Sequence, residues 1–117
     1  MAALLSVHHD PAGFLEGRAH PGSGRHGEII ASFLQSDVQG DLETARTLLA
    51  ELAAAERGEP PQPGGAGNAF SIAIGPGGAV IRNAVIEGAV AEHYSLAELR
   101  TALETWVAAI ERARGSP

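Results

Sequence analysis

The stretch GNAFSIAIGPGGAVIRNAVIEG, residues 67–88, sets a glycine-rich knot between two runs of branched apolar residues. Whether that knot cradles a phosphate or turns the chain decides the fold class. A phosphate loop needs a longer G-x-x-x-x-G-K-[ST] frame opening straight into a helix, whose amino end donates N–H groups to the anion. Neither the lysine nor a helical pattern follows Gly78. Before the knot, Phe70, Ile72 and Ile74 alternate with Ala69, Ser71 and Ala73, the two-residue period of a half-buried strand. After it, residues 79–86 are apolar except for Arg82 and Asn83 and read as the returning strand. Pro76 presets φ and its glycine neighbours accept positive φ, so residues 75–78 read as a tight hairpin turn.

Downstream, YSLAELRTALETWVAAIERARGSP carries Ser95 and Glu98 at capping-box spacing, with Tyr94 and Leu99 placed for a hydrophobic staple. Leu96, Leu99, Leu103, Trp106, Val107 and Ile110 share one face, and Arg112, Arg114 and Gly115 suit the carboxyl end. The pattern predicts a helix over residues 95–113, with Trp106 as a core anchor. Upstream, GEPPQPGGAG (58–67) lacks the donors to continue a helix or join a sheet and reads as a mobile connector. Before it, Leu42, Ala45, Leu48, Leu49 and Leu52 mark a helix ending near Arg57, starting at Asp37 after a Ser36–Gln39 capping box or at Asp41.

Nearer the amino end, residues 3–9 and 14–20 read as strands joined by the turn DPAG, followed by a loop at 21–27. EIIASFLQ (28–35) fits either a helix or a strand, and its β-branched and aromatic content favours a third strand. The expected order is β-β-(β)-α-β-β-α. It predicts a single α+β domain: an antiparallel sheet of four or five strands with two amphipathic helices packed on one face.

Fourteen acidic residues face eight basic ones, all arginine, for a net charge of −6. That field repels phosphate backbones and attracts cationic surfaces, which argues against nucleic-acid binding. The absence of cysteine excludes disulfides, thiol catalysis and cysteine-bound metals, and makes the cytoplasm the expected compartment. No window approaches the ~20 apolar residues that span a bilayer, so no membrane contact is expected.

His8, His9 and Asp10, with His20 and His26 further on, form the one cluster a metal enzyme could use. Adjacent strand residues point to opposite faces, so a shared ion requires His8 or His9 together with His20 across the hairpin. Without an H-E-x-x-H or similar frame, the expectation is no metal, no cofactor and no small-molecule ligand. Glu92 beside His93 resembles an acid–base pair, but no serine is framed as its nucleophile. Asp37 and Glu98 are assigned to helix-end electrostatics. Glu87 and Glu92, in an expected loop, are the first candidates to meet cations on another protein, followed by Asp41 and Glu43.

The residues Gly67, Asn68, Phe70, Ile81, Asn83, Ser95, Leu96, Leu99, Leu103 and Trp106, within 67–110, resemble the carboxyl half of small bacterial immunity proteins. Those accompany contact-dependent and Rhs-type toxins, many of them nucleases. The resemblance implies a non-enzymatic inhibitor whose acidic surface covers the basic site of a cognate toxin. Two other classes compete with it: a metal-dependent enzyme built on His8, His9 and His20, and a cytosolic α+β protein that assembles through a sheet edge or helix face.

Overall fold

The computed structural model describes residues 4–60, 65–66 and 69–115. It is an α+β arrangement of two antiparallel sheets and three α-helices. Strands β1 (Leu5–His9) and β2 (Leu15–Ala19) form a hairpin of their own. The second sheet has the order β3 (Gly65–Ala66), β4 (Phe70–Gly75), β5 (Gly78–Asn83), β6 (Glu92–Tyr94). The expected single sheet is therefore split. Helix α1 (Gly24–Phe33) packs against strands of both sheets.

α1 stands where a loop and then a third strand were expected. Ile30, Ala31, Phe33 and Leu34 are all buried, a helical stripe whose packing outweighs the β-propensity of single residues. The helix runs on as a π-turn over Leu34–Val38, with Gln39 N donating to Leu34 O at 2.8 Å. The expected Ser36–Gln39 capping box is thus absent. Ser36 Oγ donates back to Ser32 O, and α2 (Leu42–Glu56) starts instead on Asp41, whose Oδ1 accepts the N–H groups of Glu43 and Thr44. Asp37 Oδ1 and Oδ2 accept the N–H groups of Ala69 and Phe70 at 3.1 and 3.0 Å, so it fastens the end of the first helix to β4.

The glycine knot turns the chain as predicted: Gly75 pairs with Gly78 across Pro76 and Gly77. Gly78 has φ 131°, and a Cβ there would lie 2.6 Å from Tyr94 O, so only glycine lets β6 close against the turn. Within the connector, Gly65–Ala66 does join the sheet, paired with Ile72 and Ser71 of β4, which corrects the expectation that the segment could not. The expected mobility of 61–64 and 67 concerns positions outside the described residues.

α3 (Leu96–Gly115) opens on the predicted capping box: Glu98 N donates to Ser95 Oγ at 3.0 Å and Ser95 N to Glu98 Oε1 at 2.9 Å. It runs antiparallel to α2, since Arg100 bonds Glu56 while Arg46 lies near Glu111. Trp106 is fully buried, and its indole N–H donates to Gln39 O at 2.6 Å. Gln39 takes φ 54° with ψ −136°, a positive-φ conformation rare outside glycine, and its carbonyl accepts the buried indole N–H. A Cβ on Gly17 would meet Ala31 O at 3.0 Å and Trp106 Cζ3 at 3.2 Å, so the first hairpin lies directly on the core. No helix among the described residues is long and apolar enough to cross a membrane.

Candidate functional site

Two neighbouring places concentrate polar chemistry and exposed apolar surface. The first is the corner where α1, β6 and α3 meet. His26, in the first turn of α1, stacks on Tyr94 with ring centroids 4.2 Å apart, and the Tyr94 hydroxyl donates to His26 O at 2.6 Å. The imidazole is held at both nitrogens: Nδ1 lies 2.8 Å from Glu92 Oε2, and Nε2 lies 3.0 Å from Glu98 Oε2. Arg25 completes the cluster, with Nε 3.3 Å from Glu92 Oε1 and Nη2 donating to Val90 O at 2.8 Å.

Burial opposes the charge on His26, but the hydrogen bonds and charges of Glu92 and Glu98 outweigh it and hold its pKa above 6.5. Glu98 is likewise disfavoured by burial, yet the N–H of Ser95 and the His26 ring hold it below 4.5. Burial, reinforced by Glu92, raises the Tyr94 phenol, which stays neutral.

The second place is the connection between β5 and β6. β5 ends at Asn83, short of the predicted residue 86, because Asn83 Oδ1 accepts the N–H groups of Val85 and Ile86 and bends the chain out of the sheet. Val85, Ile86 and Val90 are consequently 72%, 59% and 70% exposed. Periodicity places Val85 and Ile86 in a strand, and only Asn83, a residue that bonds its own downstream backbone, signals otherwise. Glu87 stands between these apolar residues, exposed, and its side chain has no partner among the described residues.

The four carboxylates singled out in the sequence do not form one patch. Glu92 belongs to β6 rather than a loop, is only 21% exposed at its side chain, and is engaged by His26 and Arg25. Asp41 is the N-cap of α2, near the end of α3 that carries Arg114, and Glu43 lies in the first turn of α2. Glu98 and Arg114 are about 24 Å apart at the helical rise, so Asp41 lies well away from the Glu92 corner. Glu87 alone among the four is exposed on the apolar loop.

The proposed histidine cluster is dispersed. His8 pairs with Glu16 and His9 with Leu15, toward the hairpin turn, whereas His20 follows Ala19 at the far end and donates its N–H to Leu4 O. Leu4 and His8 are about 13 Å apart along an extended strand, too far to share one ion. No group of three or more potential metal ligands occurs among the described residues. His93 is adjacent to Glu92 on β6 but exposed, and the carboxylate bonds His26 instead.

Ser6 Oγ lies 2.9 Å from His8 Nε2 on the open face of the first hairpin. Glu16, opposite His8, is committed to Arg18. That serine–histidine contact therefore lacks the third group that orients a nucleophile's base. Comparison of the chain with protein-family models, with curated proteins and with solved structures returns no match.

Proposed function

We propose that this protein is a non-enzymatic binding module, an immunity-type inhibitor that covers the basic site of a cognate toxin. The observation that carries this reading is the loop between β5 and β6, where Val85, Ile86 and Val90 are exposed and Glu87 has no side-chain partner among the described residues. Large apolar side chains exposed together on one loop are candidates for an interaction site, and fully burying each contributes about 1.5–3 kcal/mol. The net charge of −6 selects the partner, because it speeds encounter with a cationic surface, while the apolar side chains slow release. The resemblance of residues 67–110 to toxin-associated immunity proteins supports the same reading and suggests a cytoplasmic site of action.

The test is the product of the reading frame immediately upstream. It is expected to bind this protein and to be neutralised by it. Replacing Val85, Ile86 and Val90 together by Ser should weaken binding by at least about tenfold, equivalent to 1.4 kcal/mol. A product that neither binds nor is neutralised overturns the function. Undiminished binding by the triple variant overturns the choice of face.

A further inference from the structure

We infer that His26 is a proton-operated clamp that sets the position of the 84–91 loop, so that engagement of a partner through this loop weakens as pH rises. The link to a partner rests on the function proposed above; the clamp itself does not.

A neutral imidazole has one N–H and one lone pair, and a carboxylate only accepts. Both nitrogens of His26 face carboxylate oxygens, at 2.8 and 3.0 Å, so only the doubly protonated ring satisfies both contacts. The charged groups facing it are Glu92 from β6, Glu98 from α3 and Arg25 from its own helix; Tyr94 stacks on it as a neutral ring. With the proton in place the two cations match the two carboxylates. Without it, one carboxylate meets a lone pair and Arg25 alone must balance Glu92 and Glu98. The ring's side chain is 26% exposed, so protons exchange with solvent without unfolding.

Arg25 connects this cluster to the loop. One guanidinium bonds both Glu92 and the carbonyl of Val90. The start of the loop is fixed separately, by Asn83 and by Ala84 N donating to Ala69 O. Loss of the imidazolium therefore redistributes Arg25 between its acceptors and releases the Val90 end first. The direction follows from the raised pKa of His26: with the carboxylates ionised, the clamp is complete below 6.5 and is lost as pH rises through the folded-state value.

An NMR titration of the full chain tests this, following the His26 ring together with the methyl groups of Val90 and, as a control, Val7. The ring should titrate above 6.5, the Val90 methyls should move with the same midpoint, and those of Val7 should not. Glu98→Gln keeps a capping-box side chain but removes one charge, so it should lower the midpoint. His26→Gln should abolish the Val90 step; if that variant does not fold, the wild type and Glu98→Gln decide the matter. A ring midpoint at or below 6.5, or Val90 signals indifferent to it, overturns the clamp. Binding of the upstream product is then measured below and above the midpoint. A Val90 step with no binding at any pH overturns the function and leaves the clamp standing; equal binding on both sides overturns the link between them.

Discussion

Glu87 and Glu92 belong to the same connection between the last two strands, yet they meet opposite fates. Glu92 has β6 backbone pairing, a histidine and an arginine around it, and its charge is absorbed by the fold. Glu87 stands on a loop whose apolar side chains have no interior to enter. A carboxylate placed among cations within the fold contributes to that fold. One left beside exposed valines and an isoleucine contributes to whatever the loop meets. Counting acidic residues along a sequence does not distinguish these cases, because the distinction lies in which element folds over which.

The comparison can be broken most severely from the packed side. Trp106→Ala removes the largest fully buried side chain and leaves Gln39 O without its donor, which should cost about 3–5 kcal/mol in urea unfolding. Glu92→Lys comes next, placing a third cation against Arg25 and His26. It should cost about 1–3 kcal/mol, whereas Glu87→Lys should stay within about 0.5 kcal/mol of wild type. Reversing both carboxylates together should therefore cost about as much as Glu92→Lys alone.

Smaller still is the pH dependence of the corner. His26, with its pKa raised, contributes stability below 6.5 that is lost at higher pH. Glu98, with its pKa lowered, contributes stability above 4.5 that is lost at lower pH. Their joint contribution is therefore greatest between 4.5 and 6.5, and Tm measured across pH should show a slope above that window that His26→Gln flattens. The smallest expected effect sharpens the comparison from the other side. Val85→Ser, Ile86→Ser or Val90→Ser should each change unfolding stability by no more than about 0.5 kcal/mol, because these side chains are already in water.

Elements whose signals are local were legible in the sequence. The β4–β5 turn, the first hairpin, the α3 capping box and the burial of Trp106 each follow from residues close together in the chain or on one helical face. α1 was misread because its apolar residues suit two periods, and packing between two hairpins chose the helical one. The start of α2 was open between Asp37 and Asp41 because Ser36 and Asp41 are both competent caps, and the π-turn consumed the first and left the second. Of the candidate site, Glu92 was identified but its histidine partner was not, since His93 beside it is exposed while His26 arrives from the first helix. The exposed valines and isoleucine were hidden by an apparent strand that Asn83 ends.

Chain composition and local pattern suffice to determine the α+β class, the acidic field, the hairpin turns and the last helix, because each depends on summed charge or on groups within a few residues. Only the tertiary structure decides that the sheet divides in two, that His26 lies between two carboxylates, and which carboxylate remains for solvent. Those outcomes depend on contacts between segments remote in sequence, where packing and charge neutralisation rather than local propensity choose the partner.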